Sequence, residues 1–281
     1  MNISIVGVGL IGGSMALKLR TKGLADFIYG TDQSEKHLAE ALDLQIIDEK
    51  AGLEHGIKNS DLIILAVPVD AAKKLLPHVL DLVSEHQTVM DSGSTKAGIV
   101  NAVKDHPNRS RFVAFHPMWG TENNGPKSAV SEGFSGKAGV ICNKEESAPD
   151  ALRLVESIAE SLDMHLIYMN AESHDIHTAY ISHISHITSY ALANTVLEKE
   201  REEETIFQLA SSGFSSTVRL AKSHPEMWVP IFKQNKENVL DVLNEHISQL
   251  RKFKSALEKD NFEYLGELIS NANKIRGILD K

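Results

Sequence analysis

A chain of 281 residues with 42% hydrophobic, 24% charged and 6% aromatic residues is long enough for two domains with sizeable cores. That composition excludes a disordered, collagen-like or disulfide-built protein. Its 38 acidic against 29 basic residues give a formal charge of -9, the wrong sign for a nucleic acid partner unless basic residues cluster locally, and no such patch stands in the sequence.

The start, Met1-Asn-Ile-Ser-Ile-Val-Gly7, lacks a basic leader and a cleavage site, and the longest strongly apolar run, 62–67, is too short to span a bilayer. No membrane attachment and a cytoplasmic location are expected. Strands are predicted at 3–6, 27–30, 62–67, 88–91, 112–115 and 139–142, with a last one at 164–168. Between them 11–22, 34–42, 70–76 and 95–103 have helical periodicity, with Ser34, Asp70 and Thr95 placed as caps. The alternation predicts an α/β domain over 1–170, a Rossmann-type doubly wound and mostly parallel sheet. The single cysteine, Cys142, lies in its strand 139–142 and reads as a small buried hydrophobe, with no disulfide possible and a reducing compartment implied. After 170, Gly and Pro thin out and three long helical segments follow, 173–200, 228–257 and 262–279, so 171–281 is read as an all-helical second domain. Its one long interruption, 209–225, is where function would sit on such a scaffold.

Gly7-Val-Gly9-Leu10-Ile11-Gly12 directly follows the first strand and opens the first helix. In that context the glycines allow a tight turn, close approach of backbone to a pyrophosphate and close helix packing, while the helix N-terminus offers free N–H groups to phosphate. Twenty residues on, Asp32 ends the second strand, where a carboxylate accepts hydrogen bonds from the adenosine ribose; a capping role ahead of Ser34 is the alternative. A 2′-phosphate near that carboxylate would be repelled, by about 4 kcal/mol at ~4 Å in an effective dielectric of 20. No Arg follows to reverse this, so NAD is favoured over NADP. Val67 and Pro68, at the end of the third strand, complete the expected cofactor contacts.

Oxidation of a carbinol needs an acceptor for the hydroxyl proton, a task suited to histidine. Of the 13 histidines, His116 is placed best, just past the strand 112–115, because ligands of open α/β sheets lie beyond the carboxyl ends of strands. Ser94 follows another strand, 88–91, and brings a hydroxyl to the same edge; from spacing alone it is equally a helix cap or a site hydroxyl. His174, His177, His183 and His186 tempt a metal reading. At roughly 100° per residue the first two fall near 0° and 300° and the last two near 180° and 120°, so the pairs face opposite sides of one helix and no metal site is expected. Arg219, at the edge of the interruption, could clamp a carboxylate, though surface placement is the ordinary fate of arginine.

Taken together, Gly7 to Gly12, Asp91-x-x-Ser94-x-Lys96, His116-Pro-Met-x-Gly120-Thr-Glu122, His174-Asp175, Ser182-His183-x-x-His186, Gly213-Phe214 and Arg219-x-Ala-Lys-Ser-x-Pro225-x-Met-Trp228 resemble the prephenate dehydrogenase family, which includes arogenate dehydrogenases. The resemblance covers essentially the whole chain. It implies NAD-dependent oxidative decarboxylation of prephenate, with arogenate as the alternative, and a homodimer formed through the helical domain. It also implies roles: His116 polarises the ring hydroxyl with Ser94, Arg219 binds a substrate carboxylate with His186 and His183 nearby, Glu122 gates or orients, and Trp228 supports the wall. The chain departs from the family pattern at Ser185, where proline is usual, and at Ser216, where an acidic residue is. Another two-domain hydroxy acid dehydrogenase and a non-enzymatic NAD sensor are the competing readings; the motif at His116 opposes the first, and retention of Ser94, His116 and Arg219 opposes the second.

Overall fold

Eight strands form one sheet in the order β3-β2-β1-β4-β5-β6-β7-β8 in the computed structural model, which describes residues 1–203 and 205–279. They are β1 (Asn2–Val6), β2 (Phe27–Thr31), β3 (Glu49–Lys50), β4 (Leu62–Leu65), β5 (Thr88–Asp91), β6 (Phe112–Pro117), β7 (Ala138–Cys142) and β8 (His165–Met169). Every pairing is parallel except β6 with β7.

The helices of this region are α1 (Leu10–Thr21), α2 (Glu35–Asp43), α3 (Leu53–Lys58), α4 (Val69–Leu82), α5 (Ala97–Ala102) and α6 (Pro149–Ser161). Helices α1, α2 and α6 fill one face of the sheet and α3, α4 and α5 the other. Leu62 and Ile64 of β4 point into the first layer, Ile63 and Leu65 into the second, and all four are fully buried. A strand covered on both faces loses the polar alternation of a half-exposed one, which is why β4 is apolar throughout. Cys142 is fully buried as expected, and burial pushes its thiol up to about 12.

Of the predicted caps only Ser34 serves, accepting from His37 N–H. Helix α4 starts after Pro68, and α5 takes its cap from a distant side chain described below. The sequence reading passes over β3, two exposed residues with no pattern, and α6, whose buried Ala151, Val155 and Ile158 do carry helical spacing behind Pro149.

Beyond β8 the chain continues as α7 (Ala171–Thr178), a π turn (Ala179–His183), α8 (Ile184–Glu203), α9 (Ser212–Thr217) and α10 (Pro225–Gln234). The interruption at 209–225 thus holds a short helix and then a 3₁₀ turn, Arg219–Lys222. The expected continuous helix 228–257 breaks at Asn235, a buried residue whose side chain donates to the Asp175 carbonyl.

By compactness the chain divides at 235/236. Helices α7 to α10 stay with the sheet because polar contacts bind them to its loops: Gln234 donates to Asp70 at 2.8 Å, and Asp175 accepts from the start of α5. The second unit holds α11 (Lys236–Glu258), α12 (Phe262–Ala272) and α13 (Arg276–Leu279). Asn261 caps α12 by accepting from Tyr264 N–H, and Leu250, Leu257, Phe262, Ile269 and Ile278 are exposed. Among the described residues no helix is long and apolar enough to cross a membrane.

Candidate active site

The sheet reverses its winding at β1, which lies between β2 and β4, and the loops after β1 and β4 meet there. Such a switch point opens a crevice at the carboxyl ends of the strands. Gly7 adopts φ +97°, and a Cβ there would stand 2.3 Å from the Ala66 carbonyl oxygen. A Cβ on Gly12 would stand 2.1 Å from the Gly7 carbonyl oxygen. Both positions are closed to any side chain by the protein itself. Gly9 differs: nothing lies within 4 Å of where its Cβ would be. It precedes α1 with no side-chain cap and no acidic residue in the first turn, so the first N–H groups of Leu10 and Ile11 remain available to an anion. Val67 flanks Gly7, and Pro68 caps α4 on the opposite lip. The cradle fits a pyrophosphate.

Asp32 stands at the end of β2 as expected, and its carboxylate is already tied into the loop. Val8 N–H donates to Oδ2 at 3.1 Å and Ser34 N–H to Oδ1 at 2.8 Å. The capping alternative is therefore partly realised through Ser34, while the carboxylate retains further lone pairs for a ribose hydroxyl.

Across the crevice, β6 runs past its pairing with β5 and carries His116 next to its last residue. Fully buried Lys96 fixes this strand end, its Nζ paired with Asp91 and donating to the Phe115 carbonyl at 2.7 Å. Asp91 in turn accepts from Phe115 N–H. Removing either partner of so buried a pair would leave an uncompensated charge, costing about 3–5 kcal/mol. His116 Nδ1 lies 2.8 Å from His174 Nε2, and His174 Nδ1 lies 2.8 Å from Asp175 Oδ1. Asp175 also accepts from Lys96 N–H and Ala97 N–H, capping α5 from 79 and 78 residues away. Ser94 sits half-buried in the loop pinned between these two anchors.

Burial holds the His116 imidazole well below its ordinary 6.5, with His174, Lys96 and His183 adding to the shift. His174 is lowered too, burial outweighing the Asp175 hydrogen bond. His183 falls to about 4, chiefly by burial. All three are neutral at physiological pH.

The placement of His183 corrects the helical-wheel expectation. Nine residues at roughly 100° each put His174 and His183 about 180° apart, but the π turn at Ala179–His183 absorbs one extra residue and reduces the angle to about 80°. Asn235 accordingly bridges Asp175 and His183, donating to the Asp175 carbonyl and to His183 Nδ1. His183 meets the Trp228 ring edge-on at 5.9 Å, and His186 stacks on Trp228 at 3.4 Å. His177 alone faces outward. Among the described residues no three His, Cys, Asp or Glu side chains converge as metal ligands.

Trp228 is buried, yet its Nε1 finds no acceptor. Arg219 is exposed and pairs with Glu122 at 3.3 Å. The Glu122 carboxyl is held below its usual range, first by its own backbone N–H and, beyond the opposing desolvation, by Arg219. Ser189 brackets Arg219 from α8, donating to the Thr217 carbonyl and accepting from Ala221 N–H. Ser216, in the position usually acidic, turns back to the Gly213 carbonyl and leaves Glu122 as the partner of Arg219.

Sequence reasoning gave no role to Lys96, Asp91, His174, Asp175, Asn235 or Ser189. The first four stand inside the quoted motifs; Asn235 and Ser189 carry no local pattern at all.

Residues 15–168 match the family model described as prephenate dehydrogenase, nucleotide-binding domain, and 170–271 match the model described as prephenate dehydrogenase, dimerization domain. The chain is 30% identical over 277 residues to a prephenate dehydrogenase of Bacillus subtilis, covering 98% of this chain and 75% of that protein. It superimposes with a TM-score of 0.91 and 31% identity on the prephenate dehydrogenase of Aquifex aeolicus solved with hydroxyphenyl propionate and NAD+, covering 99% and 98% of the two chains. A Synechocystis arogenate dehydrogenase follows at a TM-score of 0.78 and 27% identity, with 99% of each chain covered.

Proposed function

The chain belongs to the prephenate dehydrogenase family, and from that premise we propose that it carries out the NAD-dependent oxidative decarboxylation of prephenate to 4-hydroxyphenylpyruvate, in tyrosine biosynthesis. The observation that carries this reading is the buried, neutral imidazole of His116 at the carboxyl edge of the sheet, across the crevice from a loop shaped for a pyrophosphate.

Bound in the cradle, NAD supplies the acceptor for the hydride that leaves the ring carbinol. His116 accepts the hydrogen bond and then the proton of the ring hydroxyl as carbonyl character develops there. Departure of the ring carboxylate as carbon dioxide returns its electron pair to the ring, which becomes aromatic, and His116 gives the proton back to the phenol oxygen. Atoms and charge balance with no other reactant. Ser94 orients the hydroxyl against His116. Arg219 clamps a substrate carboxylate with two hydrogen bonds, freed from Glu122 as the ligand enters, with His183 and His186 on the same ligand and Trp228 as wall. Glu122 orients Arg219 and gates the opening.

Asp32 favours NAD over NADP, since its carboxylate stands just beyond the end of β2, where a 2′-phosphate would enter. Residues 1–170 serve as the NAD-binding domain and 171–281 as the helical domain for substrate and dimerisation. The exposed apolar side chains of α11 and α12 support a homodimer through that segment, and a cytoplasmic location accords with the biosynthetic activity proposed. Arogenate is the alternative substrate, because Ser216 stands where the family usually has an acid and so changes how Arg219 is held and how the substrate side chain is read.

The deciding assay is NADH production with prephenate and with arogenate, each offered NAD and NADP. Turnover of prephenate with NAD is expected. No turnover of either substrate would overturn the reaction, and a preference for NADP would overturn the role of Asp32.

A further inference from the structure

The contacts behind His116 determine which of its two nitrogens faces the ligand. A carboxylate only accepts, and Asp175 already takes the N–H groups of Lys96 at 2.7 Å and Ala97 at 3.0 Å. The 2.8 Å contact from His174 must therefore be donated by its Nδ1–H. A neutral imidazole protonated on Nδ1 is an acceptor on Nε2, and that Nε2 lies 2.8 Å from His116 Nδ1. His116 must donate along this bond, which leaves its lone pair on Nε2. His174 and Asp175 are 1% and 3% exposed, so water has no place in the chain of bonds.

We propose that His174 and Asp175 are positioning residues that lock His116 in the Nδ1–H tautomer and thereby make its Nε2 the acceptor for the substrate hydroxyl. The opposite tautomer would present an N–H donor to that hydroxyl and could not take its proton. The relay is anchored at the N-terminus of α5, whose first backbone donors hold Asp175 in place, so the backbone of one helix sets the protonation pattern of a ring three groups away. This rests on the reading of His116 as hydroxyl acceptor, and its test is separable from that reading.

In protein labelled with 15N-histidine, long-range proton–nitrogen correlation spectra without substrate report each ring's tautomer, and the His116 signals are those lost in His116→Asn. The expected result is a protonated Nδ1 and an unprotonated Nε2 for His116 throughout the neutral range. In His174→Phe this pattern should be lost, with kcat lowered about 100-fold while KM and NAD affinity stay within twofold. Adding His174→Phe to His116→Asn should lower kcat no further, because the relay acts only through His116. A protonated Nε2 in the unaltered protein overturns the proposal, as does a His174→Phe variant that keeps both tautomer and kcat. Parallel losses in NAD affinity and kcat would also overturn it, marking a structural role. Should His174→Phe fail to fold, the spectrum of the unaltered protein decides alone. A protein that turns over neither substrate would sink the proposed reaction and leave the tautomer to be judged on its signals.

Discussion

The glycine cradle and the histidine relay flank the same crevice but are held by different means. The cradle is made of backbone: Gly7 at φ +97° and Gly12 against the Gly7 carbonyl leave no room for a side chain, and the whole device fits within six consecutive residues. The relay is made of side chains, with His116 and His174 brought together from 58 residues apart and Asp175 held by the Lys96 backbone N–H from 79. A backbone device fails by steric intrusion and should fail in binding. A side-chain device fails by loss of one group and should fail in turnover. Substitutions on the two sides should therefore separate NAD affinity from kcat.

The largest effect is expected at His116. Replacing it by Asn keeps a polar side chain but removes the proton acceptor, so kcat should fall by about 10²–10⁴-fold with NAD affinity unchanged. Steady-state kinetics beside a binding titration checks this; equal losses in both would erase the distinction between the two regions.

His183 offers the next effect, on stability. Its ordinary value of 6.5 falls to about 4 in the folded protein. Below pH 6.5 the unfolded chain therefore binds a proton that the native state refuses, so stability is full above 6.5 and declines as the pH drops toward 4. The slope is roughly 1.4 kcal/mol per pH unit for one proton, a few kcal/mol over the window. Urea unfolding across that range should show a shallower decline in His183→Gln, and an unchanged slope would mean His183 is not held neutral by burial. Arg219→Gln follows, with KM for substrate raised about 10–100-fold through loss of a bidentate carboxylate clamp. A normal KM would remove Arg219 from the site. Gly9→Ala then probes the cradle where the protein itself leaves space: thermal stability should be untouched while the Kd for NAD rises about tenfold. A falling melting temperature would show that Gly9 serves the fold instead.

The same contrast governs what the sequence made legible. Strand ends, the glycine loop and Asp32 follow from local period and spacing, because a parallel strand buried on both faces and a turn requiring positive φ each leave a mark within a few residues. His116 was legible as the histidine nearest a strand end. Its supports were not: a helix wheel misplaces His183 because a π turn inserts a residue that periodicity does not announce, and Thr95 looks like the cap of α5 when Asp175 performs that task from another helix. Asn235 breaks an apparently continuous helical pattern to bridge Asp175 and His183, a task visible only once the two are adjacent.

Asp32 belongs to both categories, and its substitution has the smallest and most informative effect. Its carboxylate would read the ribose as part of the cofactor site, yet it also accepts from Val8 and Ser34 and so ties down the loop. Asp32→Ser should consequently weaken NAD as well as relax the exclusion of NADP, and NAD affinity alone would confuse the two. The ratio of kcat/KM for the two cofactors separates them, since loss of the loop anchor affects both equally and cancels. With the side chain 15% exposed, solvent screens the bare Coulomb repulsion, and about 1.4 kcal/mol, a tenfold fall in the preference for NAD, is the expected remainder. An unchanged ratio would assign cofactor choice elsewhere and leave Asp32 as an anchor of the loop. Asp32→Asn then tests the anchor by itself: the amide oxygen can hold one of the two backbone donors, so NAD affinity should fall less than in Asp32→Ser while the ratio falls as far.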